Sequence, residues 1–379
     1  MTSPFLGLPG AVRSEGADEG VPAHYGNPLI EQRRLSSDRG AIVDLSTRGV
    51  VSVTGPDRLS WLDSMTSQSI RDLAPGESAE TLLLDAQGHV EHAIRLIDDG
   101  ATAWLLVETA ETAPLAAWLD RMRFMLRVEV SDRSSDLATI GSMTQDGDLP
   151  AELAAVAETT GDLLLSWRDP WSELVAGGVQ YAQADEHPAA TWTWRETLVA
   201  RERLPELAAA VADGRLDASG VLATEALRVA AWRPRWSTEV DERTIPHELD
   251  WMRSAVHLDK GCYRGQETVA KVHNLGHPPR RLVMLHLDGA DAVLPAPGDE
   301  VAPPEPDADA VGRITSVATH FEWGPIALAV LRRSTPVDAP LVVRTGEGEV
   351  AAVQQTIVPP EAGAAVGRIP LPKLGRRRR

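Results

Sequence analysis

The sequence predicts an α+β protein with two ferredoxin-like α+β lobes and a small C-terminal β-barrel or sandwich. Over about residues 40–215, groups of short strand-like runs are separated by single helices, a pattern typical of α+β lobes rather than of a doubly wound sheet. From residue 281 onward the pattern changes to short β-rich runs punctuated by Pro and Gly. The length of 379 residues allows two to three domains.

The first lobe is expected to follow a flexible leader, residues 1–37, which is rich in Gly, Pro and charge. Residues 41–45 and 50–54 are apolar runs on either side of Ser-Thr-Arg-Gly, and this pattern predicts a hairpin. A helix is then expected from Gly55-Pro56-Asp57 to about residue 69, because Pro fits the first turn and an acid favours the helix N-terminus.

The following elements alternate between strands with turn-forming Asp and Gly between them and helices with an apolar stripe. Strands are predicted at residues 79–84, 90–97, 103–107, 126–130 and 162–167. Helices are predicted at residues 108–122, within 149–158, over 192–212 with an interruption at Leu204-Pro205, and at 224–232.

The C-terminal third reads as a small barrel or sandwich of short strands at a spacing of about ten residues. Its strands are predicted at residues 282–287, 311–317, 326–331, 341–344 and 350–353. Residues 295–309, rich in Pro and Asp, are expected to form a loop within it, and the chain is expected to become a tail beyond Pro359.

Composition excludes several functional classes. The net charge of −18 makes the chain a poor general nucleic-acid binder, since phosphate affinity depends on Lys and Arg. The exception is the basic tip from Arg376 to Arg379, which either only solvates the tail or contacts RNA or a partner.

No apolar run is long enough to span a membrane, and the start lacks a basic segment followed by an apolar one, so we expect a cytoplasmic protein.

The single cysteine, Cys262, excludes an intrachain disulfide and suits a reducing compartment. It also excludes any metal or cluster site that needs two thiolates from one chain. Gly261 and Gly265 bracket it and allow a tight backbone path, while Lys260 and Arg264 would favour the thiolate if their charges lie near the sulfur. The alternative is that Cys262 is a small buried hydrophobe.

Two histidines follow closely, His273 and His277. Their spacing of four would suit a metal on a helix, but Gly276 and Pro278 disfavour a helix there, so we expect a turn with surface histidines and no metal site.

The segment from Lys260 to Glu267 reads Lys-Gly-Cys-Tyr-Arg-Gly-Gln-Glu. It resembles the Lys-Gly-Cys-[Phe/Tyr]-x-Gly-Gln-Glu signature of YgfZ-type proteins, which are relatives of the glycine-cleavage T-protein. The resemblance covers about residues 38–355. It also rests on the segments Ile42-Val-Asp-Leu-Ser46, Val53-Thr-Gly-Pro-Asp57, Met65-Thr-Ser-Gln68, Ala226-Leu-Arg-Val229 with Pro234, and Thr244-Ile-Pro-His-Glu248.

This resemblance implies a three-lobed cloverleaf around a central hole that holds tetrahydrofolate. Its parts would be a folate-binding lobe of residues 38–130 and 214–279, a second α+β lobe of residues 131–213, a C-terminal barrel of residues 280–358 and a basic tail of residues 359–379. The resemblance also implies that Cys262 and Lys260 are catalytic residues. The residues expected to bind the cofactor are Arg228, Tyr263, Arg264, Gln266 and Glu267.

The implied function is that of a tetrahydrofolate-binding accessory protein for iron–sulfur protein maturation or repair, which indirectly supports tRNA modification. Its partners would be folate and iron–sulfur client or assembly proteins. The alternative is a folate-dependent aminomethyl or one-carbon transferase of the T-protein type. Three departures speak against that activity: Glu91 stands where T-proteins carry the transfer aspartate, Ala230 replaces the pterin-binding Glu, and Trp232 replaces a Gly. Whether the protein turns over any substrate stays open.

Overall fold

The structure is a computed structural model that describes residues 2–37, 40–144, 148–184, 186–289 and 293–366. The strands are β1 Val12–Arg13, β2 Pro22–His24, β3 Ala41–Asp44, β4 Gly49–Thr54, β5 Ser78–Leu84, β6 Val90–Asp98, β7 Thr102–Val107, β8 Glu129–Asp132, β9 Leu137–Met143, β10 Thr159–Thr160, β11 Leu163–Leu164, β12 Ser166–Arg168, β13 Trp194–Ala200, β14 Asp217–Ser219, β15 Arg280–Leu287, β16 Glu300–Ala302, β17 Gly312–His320, β18 Gly324–Arg332, β19 Leu341–Thr345 and β20 Gly348–Thr356. The helices are α1 Pro28–Leu35, α2 Arg58–Met65, α3 Thr109–Met122, α4 Ala151–Ala154, α5 Leu204–Ala212, α6 Val221–Ala230, α7 Trp236–Glu239 and α8 Gln266–Leu275.

The first α+β layer is an antiparallel sheet with the strand order β5-β6-β7-β4-β8. Helix α3 turns its apolar stripe, with Leu115 and Leu119, into a core shared with Val51 and Leu105 of the sheet. Because strand side chains alternate between two faces while helical ones recur every three to four residues, these patterns bury both elements against each other. The strands predicted at residues 79–84, 90–97 and 103–107 and the helix predicted at 108–122 are confirmed, whereas the strand predicted at 126–130 begins only at Glu129.

The second sheet has the order β12-β13-β9-β3-β14, with β14 parallel to β3 and the other pairs antiparallel. Helix α5 packs on it through Leu207 and Ala208, against Ile140 and Val199. Strands β3 and β14 come from ranges that the sequence placed in the first lobe, so the chain crosses between the two sheets more often than those boundaries allow.

The predicted hairpin of residues 41–45 and 50–54 is wrong. Strand β3 pairs with β9 and β14, whereas β4 pairs with β7 and β8, so the two runs lie in different sheets. All four residues of β3 and five of the six in β4 are buried. Each run therefore needs a partner strand on both sides, which a two-stranded hairpin does not provide.

The predicted helix over residues 192–212 is also wrong in its first half. Trp194–Ala200 is the strand β13, bonded on both edges by β12 and β9. The α-helix covers only Leu204–Ala212, after a 3-10 turn at Arg201–Arg203, and Pro205 lies in its first turn, where a missing N–H costs no hydrogen bond.

The C-terminal unit is a closed barrel with the order β15-β18-β17-β16-β19-β20, which confirms the predicted barrel. Its strand β16 falls inside the segment expected to be a loop. Closure pairs every strand edge, and the interior is filled by side chains such as Val283, Leu285, Ala329 and Val343.

The expected flexible leader is instead folded onto the lobes. Phe5 is fully buried, and α1 is capped by the Asn27 side chain. The buried Glu31 accepts hydrogen bonds from the backbone N–H groups of Tyr25 and Gly220, both at 2.8 Å. Apolar anchors scattered through a Gly- and Pro-rich stretch carry no periodicity, so the sequence pattern did not reveal this packing.

At the other end, residues 359–366 lie along the end of α8, where the Ala365 N–H donates to the His273 carbonyl at 2.9 Å. Residues 367–379, which include the four arginines, lie outside the described residues. No helix among the described ranges is long and apolar enough to cross a membrane.

Candidate functional site

The octapeptide from Lys260 to Glu267 forms a loop that leads into α8, which begins at Gln266. Gly265 precedes the helix with a φ of 82°, a left-handed conformation. A Cβ there would lie 2.6 Å from the Asp85 carbonyl oxygen, so only Gly lets the loop rest on the β5–β6 turn. This contact fixes where the loop sits on the first sheet.

Lys260 anchors the start of the loop. Its side chain is 3% exposed, and Nζ donates to the carbonyls of Asp63, Thr66 and Gln68 at 2.6, 2.8 and 2.7 Å. Burial lowers the pKa of Lys260, against the opposing effect of the nearby Asp63 carboxylate. All three ammonium donors are thus directed at backbone oxygens around the end of α2, a positioning arrangement.

Cys262 is exposed, whereas the next residue, Tyr263, is buried. Burial raises the pKa of the Tyr263 hydroxyl well above its ordinary value, so this side chain stays neutral. Gln266 Nε2 lies 3.3 Å from the Lys260 carbonyl and 3.4 Å from the Gly261 carbonyl. The thiol therefore sits at the surface on a loop that is fixed on both sides, and the alternative of a buried apolar cysteine is wrong.

Arg264 connects the loop to the first lobe. Its guanidinium pairs with the Glu91 carboxylate at 2.5 and 3.3 Å and lies 5.8 Å from the ring centroid of Trp118 on α3. The Glu91 carbonyl in turn accepts from Trp236 Nε1 at 3.1 Å. Glu91, the residue at the place of the T-protein transfer acid, is thus held by an arginine of the loop.

The remaining octapeptide acid and the two histidines do not converge. Glu267 is exposed in the first turn of α8. The prediction of a turn around His273 is wrong, because that residue lies on α8 and its Nδ1 is 3.0 Å from the Tyr181 hydroxyl. His277 lies beyond the helix and contacts the Ala362 carbonyl at 2.8 Å. The described part of the chain contains no group of three side chains suited to a metal ion.

Arg228 lies in a different place, in a buried charge network between the lobes. Its guanidinium contacts Glu225 at 2.6 Å and Glu239 at 3.0 Å, and donates to Ser316 Oγ of the barrel at 2.7 Å. Burial by itself would raise the pKa of Glu225, but Arg228 and Arg235 hold it at about 2. The helix α6 is thereby tied to the barrel.

Arg233 and Arg235, which the sequence reasoning missed, extend this network. Arg235 pairs with Asp18 of the leader at 2.6 Å and with Glu108 at 2.7 Å. Arg233 pairs with Glu80 at 2.6 Å and with Asp169 at 3.0 Å. The signal available in the sequence was Arg-Pro-Arg between two tryptophans, an unusual concentration of charge next to an apolar helix.

The network surrounds a small cavity of about 40 Å³ at the junction of the lobes. Five tryptophans line it: Trp167, Trp192, Trp194, Trp236 and Trp251. Three buried polar atoms of its lining residues have no hydrogen-bond partner in the described structure: Arg48 Nε, Arg233 Nη1 and Thr224 Oγ1. A space of this size holds only about three waters, at roughly 10–15 Å³ each.

The chain is similar to a known domain family and to two kinds of known protein. The GCVT N-terminal domain family matches residues 21–143. The chain is 24% identical over 274 residues to a mitochondrial iron–sulfur cluster assembly factor IBA57 homolog of Mycosarcoma maydis, covering 68% of this chain and 60% of that relative's length. It is 25% identical over 309 residues to the aminomethyltransferase of Symbiobacterium thermophilum, covering 78% of this chain and 79% of that protein.

A solved structure agrees in fold. The glycine cleavage system aminomethyltransferase T of Bartonella henselae superposes with a TM-score of 0.71 over 93% of this chain and 95% of that one, at 17% sequence identity. The chain therefore has the aminomethyltransferase fold, and its residues 21–143 match the GCVT N-terminal domain. Over most of its length it is similar both to IBA57-type iron–sulfur cluster assembly factors and to aminomethyltransferases.

Proposed function

We propose that this protein is a tetrahydrofolate-binding accessory factor for the maturation or repair of iron–sulfur proteins, acting in the cytoplasm and indirectly supporting tRNA modification. The observation that carries the proposal is the exposure of Cys262 on a loop whose neighbours are held in place. Relatives named as iron–sulfur cluster assembly factors support the same reading.

The proposed role of the loop is to present one thiolate. A cluster needs several thiolate ligands, and this chain has a single cysteine, so the other ligands have to come from a partner. Lys260 holds the loop against α2, and Arg264 ties it to Glu91. This preorganisation lowers the entropy lost when a partner engages the thiol.

Folate is the ligand that the family implies, and the interlobe cavity is where the fold would hold it. The lining chemistry suits a flat heteroaromatic ring, since it offers indole faces and unsatisfied donors at Arg48 and Arg233. The cavity volume of about 40 Å³ is too small for such a ring, because ligand pockets measure roughly 300–1,000 Å³. The described arrangement therefore does not fit a pteridine, and binding requires lining side chains to move. Trp236 is the one lining tryptophan that is only partly buried.

The thiol role is tested by complementation. In a strain that lacks this protein, we expect Cys262→Ser to fold normally but to leave the activity of a [4Fe–4S] dehydratase unrestored, because the variant offers no thiolate. The exposed Lys271→Gln on α8 is the matched control and should restore activity like the wild type. Full restoration by Cys262→Ser would refute the role given to the thiol.

The folate role is tested by anaerobic titration with tetrahydrofolate, followed through tryptophan fluorescence. We expect saturable quenching, since five tryptophans line the cavity, and an equal affinity for Cys262→Ala, since the thiol lies at the surface. A loss of affinity in Cys262→Ala would place the thiol inside the folate site. No binding by the wild type would remove folate from the proposal.

Aminomethyl transfer is the second candidate, since the fold and several relatives are those of aminomethyltransferases. The geometry gives it less support, because the pair with Arg264 fixes where the Glu91 carboxylate points. A general base has to lie within hydrogen-bond reach of the proton that it takes. Steady-state formation of methylene-tetrahydrofolate from an aminomethyl donor would reverse this ranking.

A further inference from the structure

The loop that follows α3 presents two bare apolar side chains to solvent. Phe124 and Met125 are 83% and 98% exposed, the highest values among the large apolar side chains of the described ranges, and Leu126 beside them is 38% exposed. We call Phe124–Met125–Leu126 the apolar knob. Exposed apolar clusters of this kind mark interaction surfaces in soluble proteins.

The knob is held rigidly. The Leu126 N–H donates to the Arg123 carbonyl at 2.9 Å, and both the backbone N–H and the guanidinium of Arg127 bond to the Asp57 carboxylate, at 2.9 and 2.6 Å. Gly55 allows the backbone at Arg127 to pack this closely, since a Cβ on Gly55 would lie 2.1 Å from the Arg127 carbonyl oxygen. A fixed apolar surface loses little conformational entropy when a partner covers it.

Phe124 adopts a left-handed backbone conformation, with a φ of 42°. An aromatic residue is disfavoured there, and because its ring is in solvent, packing of the side chain does not offset the strain. Strain retained at an exposed aromatic residue points to a role in binding.

The knob is connected to the thiol loop. Trp118 and Met122 lie one turn apart on the same side of α3 and are both partly exposed, and the helix ends at the knob. The Arg264 guanidinium lies 5.8 Å from the Trp118 ring, two residues from Cys262. Four helical steps of about 1.5 Å and three further residues of at most about 3.6 Å place Met125 within about 17 Å of Trp118, so one partner of ordinary interface size reaches both ends.

The charge around the knob is opposite to that of the chain. The stretch from residue 121 to 127 carries Arg121, Arg123 and Arg127 and no acid, on a chain of net charge −18. Asp120 and Asp57 pair with Arg123 and Arg127, while Arg121 forms no ion pair among the described residues, so the surface beside the knob keeps a net positive charge. A complementary partner offers an apolar groove with an acidic rim.

We infer that the knob is the docking surface for the iron–sulfur client protein, and that docking brings the client's cluster ligands beside Cys262. This inference rests on the proposed function and adds to it where, and by what chemistry, the partner binds. The occupant is a protein with an acid-rimmed apolar groove.

The first test compares the double variant Phe124→Ser/Met125→Ser with Val353→Ser, a matched change of a 70% exposed side chain on the barrel strand β20. Purified proteins are added to an extract that lacks the chain, and recovery of a [4Fe–4S] dehydratase is measured. We expect the double variant to need at least ~10-fold more protein than the wild type, as for loss of interface hot spots, with its melting temperature and tetrahydrofolate titration unchanged. Recovery equal to that of Val353→Ser would overturn the inference.

The second test identifies the occupant. A benzophenone side chain at position 125 should cross-link to the purified dehydratase on illumination, and the same group at position 353 should not. Wild-type binding to phosphatidylglycerol vesicles, or a wild-type dimer, that is lost in the double variant would overturn the choice of a client protein. If the wild type itself fails to restore the dehydratase, the proposed function fails and this inference with it; failure of the double variant alone does not touch the function.

Discussion

At the scale of single residues, the buried arginines between the lobes are the most consequential side chains. Arg235 is 5% exposed in its side chain and bonds to Asp18 and Glu108, while Arg228 satisfies Glu225 and Glu239. A buried pair adds little compared with apolar packing, but its rupture leaves an uncompensated charge in a low dielectric. The main effect of removing one of these arginines is therefore the unpaired buried carboxylate that remains, rather than the loss of the energy of the pair itself.

We expect Arg235→Leu to lower the free energy of unfolding by about 3–5 kcal/mol, because the buried Asp18 loses its partner and the buried Glu108 keeps only Arg95 among the described residues. Chemical denaturation followed by circular dichroism measures this change. Arg203→Ala is the control, since its pair with Glu206 is at the surface and should leave the transition in place. Equal effects of the two variants would contradict the structural role of the network.

At the scale of elements, the thiol loop depends on a single backbone conformation. Gly265 combines a φ of 82° with a contact that leaves no room for a Cβ, whereas a Cβ on Gly261 meets no atom within 4 Å. The fit between the loop and the β5–β6 turn therefore depends on Gly265, and also on Gly88 of the turn, where a Cβ would lie 2.9 Å from Thr268.

We expect Gly265→Ala to lower the melting temperature and to change the rate at which an aromatic disulfide reagent modifies Cys262, because the loop has to leave the turn. Gly261→Ala is the matched control in the same loop and should preserve the melting temperature. Unchanged thiol kinetics in Gly265→Ala would show that the turn does not position the thiol.

The elements also show what the sequence could predict. Strands β5 to β7, helix α3 and the barrel follow from local periodicity, because each buries one face against a neighbour in the same unit. The partners of β3 and β4 could not be predicted, since two apolar runs with a short turn suit either a hairpin or a change of sheet. The octapeptide marked the thiol loop, whereas Arg233 and Arg235 were missed because their partners lie in four distant segments.

At the scale of the whole molecule, one buried acid links stability to pH. Asp250 accepts hydrogen bonds from the backbone N–H groups of Tyr181 and Ala182, at 2.7 and 3.4 Å, joining the segment between β12 and β13 to the approach to the thiol loop. Burial raises its pKa from 3.8 to about 7. The folded protein thus keeps a proton that the unfolded chain releases near pH 4. The stability contributed by this group is fully present below that pH and is lost as the pH rises toward 7.

We expect Asp250→Asn to remove this loss. Asn keeps one acceptor oxygen for the 2.7 Å bond from Tyr181 and gives up the longer contact with Ala182. It also tolerates the left-handed backbone with its φ of 56° and carries no charge to desolvate. The melting temperature of the variant should therefore exceed that of the wild type at pH 8 and approach it at pH 4. Asp72→Asn, an exposed change on the first lobe, should give a profile parallel to the wild type. If the Asp250→Asn profile is parallel as well, Asp250 is ionised in the folded protein, and the junction between the lobes holds a buried carboxylate rather than a carboxylic acid.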